Sequence, residues 1–163
     1  TANSTLKSTG EGSATITVAS MTGDYNLTLQ ESGDSATSEV TFTGNLAVNE
    51  LITFAQGYSL TLQGASNVIA SDTSFLNTGT TTIGNNSDAS STFTGGLTAT
   101  AGPVSIAGDI IVSNGDRQMR LGTTTVSDNS TLDPPKVFTP RWGKFKPPST
   151  WMLCSPLVVT SMQ

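Results

Sequence analysis

The feature that most constrains this chain is an alternation of apolar and hydroxyl side chains that returns again and again along it. It is clear in Thr15-Ile16-Thr17-Val18, Asn26-Leu27-Thr28-Leu29 and Val40-Thr41-Phe42-Thr43, and again in Ser59-Leu60-Thr61-Leu62, Val104-Ser105-Ile106 and Thr124-Thr125-Val126. A period of two places Leu, Ile, Val and Phe on one face of an extended chain and Thr or Ser on the other. Between these runs stand turn formers: Thr22-Gly23-Asp24, Ser32-Gly33-Asp34, Gln56-Gly57, Gly84-Asn85-Asn86, Gly95-Gly96 and Asn114-Gly115-Asp116. No stretch sustains a helical period. The fold class that follows is all-β, made of short strands.

A longer repeat underlies the short one. Tyr25-Asn26-Leu27-Thr28-Leu29-Gln30 returns as Tyr58-Ser59-Leu60-Thr61-Leu62-Gln63, and Phe42-Thr43-Gly44-Asn45-Leu46 as Phe93-Thr94-Gly95-Gly96-Leu97. With Tyr25, Phe42, Tyr58, Phe75, Phe93 and Ile110 as rung starts, the step is about 17 residues. Such a step suits a β-solenoid or an intertwined β-helix, whose rungs stack and bury a thin apolar column. It also suits a β-sandwich or jelly roll.

Composition adds a segment boundary. All twelve acids lie between Glu11 and Asp133, so the chain up to Asp133 carries −9. Beyond it Lys136, Arg141, Lys144 and Lys146 give +4 with no acid, and six of the seven prolines and both tryptophans follow. Three segments are expected: a lead at 1–12, a β-repeat body at 13–133, and an extended, Pro-rich arm at 134–163. Within the arm Leu157-Val158-Val159-Thr160 can form one added strand. The lead shows no positive n-region followed by an apolar core; a leader already removed, or an initiator Met trimmed before Thr1, both fit that pattern. No apolar run is long enough for a membrane span.

The same composition narrows the chemistry. Without His, a Ser–His or Cys–His pair is impossible, and one Cys excludes an internal disulfide and a Cys/His zinc site. The carboxylate pairs Glu31 with Asp34 and Asp109 with Asp116 sit beside turn formers and read as solvated turn residues. Asn85-Asn86-Ser87-Asp88 is the best loop for a cation, yet Ca²⁺ wants six to eight oxygens. Neither a catalytic nor a metal site, nor a cofactor, is expected. The sequons at Asn3, Asn26, Asn85 and Asn129 are what a Ser/Thr-rich chain gives by chance. Cys154, in Trp151-Met152-Leu153-Cys154, reads as a small buried hydrophobe. Thr15/Thr17, Thr80-Thr81-Thr82, Thr98/Thr100 and Thr123-Thr124-Thr125 raise an ice-matching face. Such a face needs Thr at one phase of every rung, and on a 17-residue step these clusters drift, so they read as the solvent side of strands.

The stretches Gly79-Thr80-Thr81-Thr82-Ile83-Gly84-Asn85, Phe93-Thr94-Gly95-Gly96-Leu97-Thr98-Ala99-Thr100 and Gly108-Asp109-Ile110-Ile111-Val112-Ser113 resemble the Thr/Gly/Asn strand repeats of phage tail fibres and related virion appendages. They are also similar to the repeats of bacterial surface and autotransporter passengers. The resemblance implies an oligomeric, often trimeric, β-structure that attaches or decorates. The expected function is thus that of a non-enzymatic virion structural protein, a short fibre or capsid decoration protein; the alternative is a secreted bacterial surface solenoid, adhesin or filament subunit. Its partners are expected to be copies of itself and other virion or surface proteins, with neither nucleic acid nor membrane insertion. In the arm, Phe138, Arg141, Trp142, Lys144, Phe145, Lys146 and Trp151 are the candidate partner-binding residues, since large aromatics and Arg dominate interface energies.

Overall fold

The computed structural model describes residues 3–8, 13–31, 38–114 and 117–135, and the backbone of Val158–Val159. It begins with β1 (Ser4–Ser8). A first rung follows with β2 (Thr15–Val18) and the long β3 (Met21–Glu31), and a second with β4 (Glu39–Phe42) and β5 (Leu46–Ile52). The third holds β6 (Ser59–Leu62), β7 (Ser66–Ile69) and β8 (Thr73–Ser74); the fourth β9 (Thr81–Ile83), β10 (Ser90–Phe93) and β11 (Leu97–Ala99). The fifth holds β12 (Val104–Ile106), β13 (Asp109–Val112) and β14 (Met119–Leu121). Then β15 (Thr124–Val126) and β16 (Ser130–Asp133) start another turn, and β17 (Val158–Val159) pairs back on β16. The described strands are joined by no helix.

The strands stack into a β-solenoid of about five turns with three faces. The first face is the ladder β2-β4-β6-β9-β12-β15. On the second, β7, β10, β13 and β16 continue the leading parts of β3 and β5. On the third, β8, β11 and β14 continue the trailing parts of β5 and β3, and β1 lies against β3 on the other side. All pairs are parallel except β16 with β17. A parallel pair needs a long crossover, and here the other two faces of each rung serve as that crossover. Ser4–Ser8, read from sequence as part of a lead, thus belongs to the sheet: Leu6 stands opposite Leu29.

Register corrects the expected step. Val40, Leu60, Thr81, Val104 and Thr124 stand one above another, at steps of 20, 21, 23 and 20 residues rather than 17. The aromatics do not mark equivalent places. Phe42 ends β4 on the first face, Phe93 ends β10 on the second, and Phe75 follows β8 on the third. Large rings fill the interior wherever it has room, and evenly spaced rings on different faces mimicked a shorter repeat. The two Phe-Thr-Gly-x-Leu segments are likewise corners between different pairs of faces.

The core is a set of columns along the stack. On the first face Val18, Phe42, Leu62, Ile83, Ile106 and Val126 form one column, and Phe42, Leu62, Ile83 and Ile106 within it are sealed from solvent. Phe75 and Phe93 meet edge to face, their centroids 6.1 Å apart at 89°, the arrangement that ring quadrupoles favour. Most buried polar groups are stitched in by side-chain bonds. Asn67 accepts from the Leu46 amide at 3.0 Å and donates to Ser91 Oγ at 3.1 Å. Asn77 donates to Thr81 Oγ1 at 3.1 Å.

Tyr58, 1% exposed, gives this core a pH response. Burial holds its phenol above the ordinary 10.0; bonds to Phe54 and Thr53 act the other way, and the Glu31 carboxylate adds to the rise. Since the folded form keeps its proton longer than the unfolded one, the stabilisation is complete below about pH 10 and is lost as pH climbs through the folded value. Denaturant melts from about pH 8 to 11 are expected to show this loss, and Tyr58→Phe to show less of it.

Candidate interaction surfaces

Along the first face one file of outward side chains keeps strict register: Thr17, Thr41, Thr61, Thr82, Ser105 and Thr125. Parallel pairing spaces neighbours in such a file by roughly 4.8 Å. On the true rungs Thr17, Thr82 and Thr125, from three of the four Thr clusters expected to drift, hold one phase, whereas Thr98 lies in β11 on the third face. The parallel file is less regular. It runs through Thr15, Glu39 and Ser59, and Glu39 bends to accept the Thr41 hydroxyl at 2.9 Å, which buries Thr41. A flat two-file array of hydroxyls is therefore interrupted at the second rung.

A second surface lies at the corner between the second and third faces. Asn49 donates to Asn26 Oδ1 at 2.8 Å, and Asn26 donates to Glu50 Oε2 at 2.7 Å. Further along the stack Arg117 bonds Asp72 at 2.9 Å, with both side chains about half exposed. Shallow clefts on either side of this pair are lined by Glu50, Ser71, Thr94 and Gly95, and by Ser74, Thr98 and Gln118. An exposed ion pair of this kind contributes about 0–1 kcal/mol. It shapes the corner more than it stabilises it.

A third lies at the two ends. Among the described residues β2 is paired on one side only, by β4; β15 only by β12, and β14 only by β11. Apolar side chains there are only partly covered: Leu6, Ile16, Val18, Met21 and Tyr25 at one end, Met119, Leu121 and Leu132 at the other. Val68, Leu76 and Phe54 add scattered exposure along the sides.

Several sequence candidates find a definite place. The Asn85–Asp88 loop is exposed and tied down by one bond within it and one to a later turn: Asp88 N donates to Asn86 Oδ1 at 2.9 Å, and Ser87 N to Asp128 Oδ2 at 3.1 Å. Asp109 accepts from the Thr131 amide at 3.0 Å. Glu31 is not the solvated turn residue expected; it points inward and is 2% exposed. Its signal was in the sequence, since Leu27, Leu29 and Glu31 share one phase of the alternation. Asp34, Asp116, Cys154 and the arm residues Phe138, Arg141, Trp142, Lys144, Phe145, Lys146 and Trp151 lie outside the described residues. Among the described residues no three His, Cys, Asp or Glu gather as a metal site, and no helix is long and apolar enough to cross a membrane.

In comparison with known proteins, no family model, no curated protein and no solved structure matches the chain.

Proposed function

We propose that this chain is a non-enzymatic structural module of a virion appendage, a length of β-solenoid shaft or decoration that associates with a second copy of itself end to end. The observation that carries the reading is the state of the ends. The ladders stop with one edge of β2, β14 and β15 unpaired among the described residues, beside half-covered apolar side chains. Unpaired strand edges are templates for further pairing, and a stack whose apolar columns run through to its end rung offers a continuation of its own core. The arm after Asp133 serves as a connector in this reading, with Trp142 and Trp151 as anchors and its bases fixing register.

A secreted bacterial surface shaft is the second reading. One observation favours it: each rung closes its three faces within a single chain, so the core needs no intertwined partners.

Light scattering on the full chain at micromolar concentration is expected to give the mass of several copies. Antibody detection is expected to find the protein in purified particles. A monomer at that concentration overturns assembly through the ends. Oligomers absent from particles but present at a cell surface overturn the virion role in favour of the second reading.

A further inference from the structure

Ten polar or charged residues of the described chain are buried, and seven of them are accounted for by hydrogen bonds. The three that are not are Ser8, Glu31 and Ser38: both Glu31 carboxylate oxygens and both serine Oγ atoms are buried without a partner. Two of these orphans are neighbours. Ser8 and Glu31 stand opposite each other at the ends of β1 and β3. Ser38 stands just before β4, and its carbonyl accepts from the Ser59 amide at 2.8 Å. Tyr58, the residue before Ser59, donates its hydroxyl to the carbonyl of Leu29, two residues before Glu31, at 3.4 Å.

The backbone around Glu31 is held firmly. Its amide donates to Gln56 Oε1 at 2.8 Å, and Gln56 Nε2 donates back to the Glu31 carbonyl. The carboxylate is thus fixed at a place where nothing in the described protein answers it. A buried charge is normally paired, hydrogen-bonded or bound to a metal. Two carboxylate oxygens and two hydroxyl oxygens, with no nitrogen or sulfur among them, are the kind of donor a hard cation takes, and water would have to complete the six to eight that calcium wants.

We infer that Glu31, Ser8 and Ser38 hold a hard, oxygen-seeking metal cation, sodium or calcium, at the end of β3 in the first rung. The ion balances the buried carboxylate and clamps β1 onto β3. This site is independent of the end-to-end assembly proposed above, because it lies inside one chain. Being at the first rung, it stabilises that rung more than the rest, since each rung of a solenoid depends chiefly on its neighbours.

The test uses the full chain, stripped with EDTA and held in tetramethylammonium chloride. NaCl or CaCl₂ replaces it at constant ionic strength, and thermal melts and amide exchange are recorded. One of the two ions is expected to raise Tm saturably, by about 5–10 °C at a hundredfold excess over Kd. The same ion is expected to slow exchange most in Ser4–Ser8. The ion that acts identifies the occupant. Glu31→Gln, close in shape but neutral, is expected to lose the shift, and Ser8→Ala and Ser38→Ala to weaken it. The inference is overturned if neither ion shifts the wild type beyond a general salt effect, or if Glu31→Gln shifts equally. Should Glu31→Gln fail to fold, the serine variants decide: an undiminished shift in both overturns the site.

Discussion

Phe93→Ala is expected to cost about 3–5 kcal/mol and to lower Tm by roughly 10 °C. Phe93 is fully buried at the end of β10, packed edge to face on Phe75 and stacked between Ile69 and Val112. Truncation removes the ring's transfer energy and opens a cavity between rungs that hydrogen-bonded ladders prevent from collapsing. It also forfeits the ring pair, worth about 0.5–1.5 kcal/mol beyond area. Against a total stability of about 5–15 kcal/mol this is a large share. Phe54→Ala, at a ring 40% exposed on the outside, is the control and is expected to cost far less. Equal losses from the two, by denaturant titration, would contradict the interior assigned to Phe93.

Gly84→Ala, a single methyl, is expected to cost roughly 2–6 kcal/mol. Gly84 turns the chain out of β9 at φ +84°, a left-handed conformation that L side chains rarely adopt, and its amide still donates to the Leu62 carbonyl at 2.8 Å. A Cβ there would overlap the carbonyl oxygen of Ala107, on the next rung. Strain and overlap add, and relief of either must move a rung that carries the ladder. Gly122→Ala offers the comparison. Its nearest neighbour would be Thr100 Cα at 3.2 Å with no positive φ, so its cost is expected to stay below about 1 kcal/mol. Similar Tm values for the two variants would refute the steric account of the Gly84 corner.

The strands were legible in the sequence because alternation is a local property. Leu60 and Leu62 are buried and Thr61 is not, as a period of two requires. The rung length was illegible because the corners differ in length. Three residues separate β6 from β7, six separate β9 from β10, and two separate β12 from β13. Those differences blur any fixed period, and rings spaced by chance then supplied a false one. The hydroxyl file on the first face vanished with the period, since it exists only in the true register. Glu31 was hidden for another reason: the turn signal of Ser32-Gly33-Asp34 beside it outweighed its phase with Leu27 and Leu29. What marks the Glu31 corner is a shortage of partners, which only three-dimensional packing can reveal.

The route of the chain also fixes how this stack would answer to mechanical force. Strands run across the long axis, and each rung is bonded only to the rungs above and below it. Tension applied through the two ends therefore opens one rung's bonds in sequence instead of shearing all of them together. Each rung of 20 to 24 residues would pay out about 65–85 Å of extended chain while shortening the stack by roughly 4.8 Å. Such a stack yields stepwise under a pull, lengthening many-fold before its last turn gives way.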